Sequence, residues 1–548
     1  MKIHNVLFPQ PDGSPEPLSS RLWDIDLVDG VVESIEPASR PADATNTDVT
    51  KDTVASHLLL PTLCHPHLHL DKAYLLTSGC CGADDNDSDG VDHPGYADYS
   101  DLLPQTGSFA EALETTRVAK TRFTAADLRR RGLQLLATSF AQGVTDARVF
   151  VEVDAQAAGR GTVAVAVARD LQQLFRGQLA VQVCAFAQEV LFTGAAGAAN
   201  RAAIEDVVAA DHRDGAASLA SLASSASTAS TPSQPMQTIA VLGATPYVEA
   251  TRALSLQNID WAVTTALQYG LHLDLHLDYN LKAYTGDGSR EDAANEPLIF
   301  ALLEALIRHK WTERARHTRT AGRGGKTQTT TRTVVVGHMT QLTCLSPAQL
   351  TRLATIIRDY QLPVHFVGLP TSDLYMMGRP PPGPAAAAST ARHTLPRGTL
   401  PIPALIRDYG LQACLGVNNV GNAFTPHGTG DPLQLACWGV GLYHAGTGPD
   451  AHLLYGAVSW RARAAIGMEA GDTLVDWETC SRHPNDWLGK RIGPALAIAN
   501  PRYIPFSPQA TGLSATAAAV LHRILSRPRL GFRDVVWDPP DVSLRKVV

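Results

Sequence analysis

Apolar and polar positions follow two regimes along the chain. Through residue 60 they alternate around Asp and Gly turns, as in Leu22-Trp23-Asp24-Ile25-Asp26-Leu27-Val28-Asp29-Gly30-Val31-Val32. A period of two predicts a small β region with a hairpin. From about residue 58 short apolar runs take over, at 58–63, 144–153, 179–186, 239–244, 271–277, 333–336, 362–367 and 411–415. Segments of helical period separate them, among them 126–141, 261–269, 296–309 and 347–360. Alternating strand and helix predict a parallel sheet, and eight such units predict a closed, TIM-like (β/α)8 barrel. Its active site would lie at the C-terminal ends of the strands. Periodicity does not count strands securely, so a doubly wound open sheet stays an alternative.

The expected organisation is an N-terminal β segment over 1–57, a barrel over 58–468 and a C-terminal segment over 469–548. The last contains Thr473-Leu474-Val475-Asp476-Trp477 and Asp534-Val535-Val536-Trp537. It is expected to return to the N-terminal strands and complete a small β-sandwich domain. Three biased stretches interrupt the barrel: Ala/Ser/Thr-rich 216–235, basic and Thr/Gly-rich 314–332, and Pro/Ala-rich 380–398. Each is too poor in apolar side chains to offset its ordering entropy, which predicts flexible insertions.

A hydrophobic content of 45% with 18% charged residues describes a globular chain with a substantial core. The net charge of −7 argues against a nucleic-acid partner, which would need a basic face. No apolar stretch approaches the roughly 18–20 residues that cross a bilayer, so no membrane partner is expected. Eight cysteines without a CxxC pair read as reduced thiols. The opening Met1-Lys2-Ile3-His4-Asn5 lacks a signal-peptide core, so the expected location is cytoplasmic.

Chemistry concentrates at Cys64-His65-Pro66-His67-Leu68-His69-Leu70-Asp71, with Lys72 directly behind. Alternate residues of a strand share a face, so His67 and His69 point the same way. Two such imidazoles can grip one divalent cation. Further histidines follow apolar strands at His276, in His272-Leu273-Asp274-Leu275-His276-Leu277-Asp278, and at His338, in Val336-Gly337-His338-Met339-Thr340. One such histidine alone is as readily a core residue as a ligand; four in order at three strand ends are a specific signal.

The HLHLDK motif resembles the first metal motif of the amidohydrolase superfamily, most closely its cytosine-deaminase-like branch. The resemblance extends over about residues 55–470. Arg148-Val149-Phe150-Val151-Glu152-Val153-Asp154 is similar to that branch's RTHVDVD segment, Ala185-Phe186-Ala187-Gln188-Glu189 to AFPQE, and Gly243-Ala244-Thr245-Pro246-Tyr247 to GAxPH. Leu369-Pro370-Thr371-Ser372-Asp373-Leu374-Tyr375-Met376-Met377-Gly378-Arg379 resembles LPLTNLYLQGR, and Gly416-Val417-Asn418-Asn419 resembles GHDD. Residues 459–467 resemble the helix after strand eight. The resemblance implies one divalent metal, zinc or iron, held by His67, His69 and His276, with His338 beside its water, polarising the bond to be cut.

The chain departs from that pattern at decisive places. The strand-eight aspartate is Asn418, able to ligate through its carbonyl but not to act as a base. The glutamate after the strand-five histidine is Tyr279, whose phenol ordinarily titrates near pH 10 and makes a poor proton shuttle. Phe150 replaces the strand-two histidine, and Glu152 the aspartate after it. Asn419 stands where the relatives use a second aspartate on the pyrimidine ring, which disfavours cytosine as substrate. Asp278, Asp373 and Asp431 are the candidate replacement bases. Gln188, Asn419 and Lys72 are the candidate substrate contacts.

Other signals carry less. Asp85-Asn86-Asp87-Ser88-Asp89-Gly90 opens like an EF-hand loop, but its twelfth position is Tyr96 rather than glutamate. Gly325-Lys326-Thr327 echoes a phosphate loop with Thr320 in place of its first glycine. Cys80-Cys81 reads as a pair of ordinary thiols. The expectation is a metal-dependent hydrolase of non-peptide C–N bonds in a small cyclic amide, amidine or amine. The alternative is a degenerate barrel that keeps a pocket without turnover. A small-molecule substrate is expected, and the composition is compatible with a homo-oligomer.

Overall fold

A computed structural model describes residues 1–9, 22–38, 54–77, 96–155, 160–224, 239–321, 326–378, 397–468, 484–504 and 524–548, with a few more between 514 and 520. The EF-hand-like stretch, Cys80-Cys81, residues 473–477 and most of 380–398 lie outside these.

Eight parallel strands form the central sheet: β1 (Leu63–His69), β2 (Val144–Glu152), β3 (Ala180–Ala187), β4 (Ile239–Ala244), β5 (His272–Leu277), β6 (Val334–His338), β7 (Val364–Gly368) and β8 (Gln412–Leu415). They pair in chain order from β1 to β8. The two edge strands meet through a Leu68↔Asn418 bridge. There the His69 N–H donates to the Asn418 carbonyl at 2.8 Å, and the Asn418 N–H to the His67 carbonyl at 3.0 Å. The sheet is therefore a barrel rather than a doubly wound layer. Helices cover its outside, and their starts are written locally. Thr124, Thr251 and Ser346 cap the helices Ala125–Ala141, Arg252–Tyr269 and Pro347–Asp359 through their hydroxyls. Ser346 and Gln349 form a full capping box, with Pro347 at the first helical position.

A separate six-stranded sheet holds both chain ends. Its strands are Lys2–Leu7, Trp23–Val28, Val31–Pro37, Val54–Pro61, Ala495–Pro501 and Arg545–Val547. The expected first barrel strand at 58–63 is corrected here. Val54–Pro61 belongs to this second sheet, and β1 begins at Leu63 after Thr62 alone. Leu58, Leu59, Leu60 and Leu63 are all fully buried, so the apolar run passes unbroken through the change of sheet. The histidine pair accordingly sits within β1 and at its end, not beyond it.

Two further expectations differ from what is observed. Asp534–Trp537 lies in a helix, Phe532–Trp537, with Phe532, Val535 and Val536 buried. Its Phe532 ring packs beside Tyr455 and Trp460 on the outside of the barrel. The spacing i, i+3, i+4 is a helical stripe that a four-residue window cannot show. Within the Thr-rich stretch 314–332, Arg316–Ala321 and Lys326–Thr331 pair as an antiparallel hairpin. β-Branched threonine suits a pleated surface even without apolar neighbours.

Candidate metal centre

Alternation along β1 turns His67 and His69 into the barrel, and β5 supplies His276 from across it. The three are buried, and one ring nitrogen of each lies within 4.8 Å of the others. His67 Nε2 and His276 Nε2 face each other at 2.9 Å. Burial, with the neighbouring positive charge of Lys72, holds all three imidazoles well below their ordinary pKa. They are therefore neutral, with lone pairs to give. His67 Nδ1 lies 3.8 Å from Asp274 Oδ1. Arg148 fixes that carboxylate at 2.7 Å from inside the barrel, while burial pushes Asp274 up to about 7.

Asn418 closes the barrel seam in a left-handed backbone conformation, φ 67°. Its Nδ2 donates to Ser372 Oγ at 2.8 Å. Its Oδ1 is buried without a hydrogen-bond partner. An orphaned carbonyl oxygen costs free energy unless something accepts its lone pair. Three neutral imidazoles and one such oxygen are a donor set that fits a divalent cation of zinc or iron type.

His338 ends β6 with φ 68°, another strained non-glycine position. Its Nδ1 lies 3.1 Å from Asp373 Oδ1, and Asp373 Oδ2 accepts from Thr399 Oγ1 at 3.0 Å. The His338 ring lies 4.8 Å from that of His276 and 4.3 Å from that of Tyr279. Burial raises the Asp373 carboxyl, and His338 counters it.

A small cavity opens over these groups. His69, His276, His338, Asn418, Lys72, Gln188, Asn419 and Tyr279 line it, together with Phe109, Tyr247, Ser372, Met376 and Phe424. Thus all the residues expected at the site line it except His67, Asp278, Asp373 and Asp431. His67 meets His276 outside that lining, Nε2 to Nε2 at 2.9 Å. Asp278 is turned away: its carboxylate accepts from the Leu298 and Ile299 N–H groups at 2.7 and 3.1 Å, at the start of the helix Leu298–Arg308. Burial pushes it up to about 6 against those bonds. Asp431 is likewise committed elsewhere, to a buried two-pronged pair with Arg545 at 2.8 and 2.9 Å. Of the three candidate replacement bases only Asp373 reaches a histidine of the site. Burial holds Tyr279 neutral, far above neutral pH.

Lys72 pairs with Glu152, whose other oxygen accepts from Lys120 at 2.6 Å. Burial pushes the Glu152 carboxyl up, but the two ammonium groups outweigh it and hold it at about 2. The chain thus places a lysine-bound glutamate where the resemblance leads one to expect an aspartate. Sequence reading missed Phe109, at the start of the helix Phe109–Lys120, and Phe424, which carry no local signature, and it gave no role to Tyr247 within its GAxPH-like segment. It also missed Asp274, whose position two before His276 on one strand was a usable signal.

No family model and no curated protein matches the chain. Solved structures do. With 5-methylcytosine deaminase from Klebsiella pneumoniae bound to phosphonocytosine, the TM-score is 0.58 at 18% identity, covering 91% of this chain and 92% of that one. With N-isopropylammelide isopropylaminohydrolase from Burkholderia multivorans it is 0.51 at 17% identity, covering 96% and 97%. The chain has the fold of these hydrolases: a (β/α)8 barrel beside a β domain that holds the chain ends.

Proposed function

We propose that this chain is a divergent amidohydrolase that uses one divalent metal to hydrolyse a non-peptide C–N bond in a small cyclic substrate. One observation carries the reading: three buried, neutral imidazoles converge beside an open cavity that two of them, His69 and His276, line together with Asn418, whose Oδ1 is unpartnered. His67, His69 and His276 would hold the cation, with Asn418 as a neutral fourth ligand. A cation held there supplies Lewis acidity that makes water nucleophilic near neutral pH.

The chain's own groups must then move the protons. Asn418 has no useful basicity, and Tyr279 keeps its proton. His338 takes this part. Asp373 accepts from its Nδ1–H, which leaves Nε2 as the basic nitrogen and fixes the ring beside His276. It can take a proton from the attacking water and deliver it to the leaving nitrogen. Tyr279 is a neutral wall and hydrogen-bond donor. The aromatic rings of Phe109, Tyr247 and Phe424 provide flat apolar surface for a ring-shaped substrate.

The test is elemental analysis of purified protein followed by a turnover screen that reads ammonia from cyclic amidines and amines and ring-opened acid from cyclic amides. Close to one zinc or iron per chain is expected, lost in the double variant His67→Ala, His69→Ala. A native protein that carries no metal and refuses added zinc would sink the proposal.

A further inference from the structure

The polarity of the cavity wall is set by a chain of side-chain amides whose orientation leaves no choice. Asn422 Oδ1 accepts from the backbone N–H groups of Phe424 and Thr425 at 3.0 and 3.2 Å. Backbone N–H groups can only donate, so this atom must be the carbonyl oxygen. The Asn422 Nδ2 must then donate, and it does so to the Lys72 carbonyl at 3.2 Å and to Asn419 Oδ1 at 2.7 Å. That fixes Asn419 in turn: its oxygen is used inside the wall, and its Nδ2–H groups are the polar atoms left for the cavity it lines.

Lys72 adds donors of the same sign. Its ammonium is anchored by Glu152, sits 5.4 Å above the Phe424 ring and lines the same cavity. Among the described lining residues none is Asp or Glu. Gln188 offers one donor and one acceptor. Where the resembling deaminases set a carboxylate acceptor, this chain therefore sets an amide donor next to an ammonium.

We infer that the substrate turns a carbonyl-rich edge, the O=C–N–C=O face of an imide or ureide ring, toward Lys72 and Asn419, and that amino-substituted amidine edges are rejected. The inference rests on the hydrolase reading only for there being a substrate. Two carbonyl oxygens accept from Lys72 and Asn419, and the N–H between them meets the Gln188 oxygen. A ring bearing amino groups instead points donors at donors, and each mismatched polar group is left unpaired in a buried place.

Equilibrium binding to the metal-loaded protein tests this without turnover. The probes are uracil and 2,4-diaminopyrimidine, equal in ring and size but opposite in edge polarity, at a pH where both are uncharged. Uracil should bind tighter by roughly tenfold or more. Asn419→Asp keeps an oxygen for Asn422 and replaces the donor by an acceptor, so it should reverse the preference. Lys72→Met should weaken uracil alone. Equal or tighter binding of the diamine by the wild-type protein, an unchanged ratio in Asn419→Asp, or no binding of either probe would overturn the inference. Metal content and turnover, read as ammonia or as ring-opened acid, judge the hydrolase reading separately: a protein that prefers uracil yet turns nothing over keeps the donor wall and loses that reading.

Discussion

Position 418 carries no carboxylate, and position 373 does. Asn418 Oδ1 points its lone pairs at nothing in the protein, while Asp373 is bonded to His338. In the proposed reading, metal ligation, which one aspartate could combine with proton transfer, falls to Asn418, and proton transfer to His338 as oriented by Asp373. Asp373→Asn removes the charge that fixes His338 and should lower kcat by on the order of 10²–10⁴ while metal content and KM stay within about twofold. An equal loss of metal would mean that Asp373 serves the ligands rather than the base. Asn418→Asp should bind the cation more tightly in chelator competition, since carboxylate is the stronger ligand. It should also reduce turnover, because the added charge lowers Lewis acidity; a gain in hydrolysis would mark Asn418 as a decayed aspartate. The three converging histidines were legible because period-two spacing and strand ends are local facts. Asp373 was legible only as one of three candidates, because the commitments of Asp278 and Asp431 are long-range contacts to Leu298 and Arg545.

The strands place the ligands, and small residues on them leave the room. A Cβ at Gly337 of β6 would come within 3.1 Å of His67 Cε1. At Gly416, just after β8, it would meet His67 Cβ at 3.2 Å and Leu369 and Val367 side chains at 3.0 Å. Gly337→Ala should therefore displace the His67 ring, lowering metal affinity, at a cost of about 1–3 kcal/mol in stability. Full metal occupancy in this variant, measured by elemental analysis, would show that the ring has slack. Elements were easiest to read where burial and period coincide, as in the amphipathic helix Pro347–Asp359 with Leu350, Leu353, Ala354 and Ile357 inside. They were hardest where the pattern is uniform. The join at Pro61-Thr62-Leu63 separates two sheets inside one apolar run, and hydrophobicity does not record which sheet a buried leucine serves.

Across the whole molecule, desolvated neutral histidines, His65 fully buried and His365 half-buried, tie folding to acidity. Burial pushes His65 down to about 3 and, with help from Arg148, His365 to about 4. The unfolded chain takes up protons below the ordinary imidazole value of about 6.5, and the native chain does not. Their contribution to stability is thus full above pH of about 6.5 and is lost as pH falls through that window toward 4. The denaturant midpoint should drop across it, and His365→Gln should make the drop shallower; an unchanged slope would contradict the assignment. The barrel's seam has a related consequence. First and last strands are joined by the Leu68↔Asn418 bridge, and the residues on its two sides, His67, His69 and Asn418, are three of the four proposed to hold the cation. A bound ion would therefore act as a rivet across the closing gap of a cylinder. Stripping it should speed hydrogen exchange first at the amides of His69 and Asn418, ahead of those between β3 and β4, so that the ring is expected to part where its two ends were brought together.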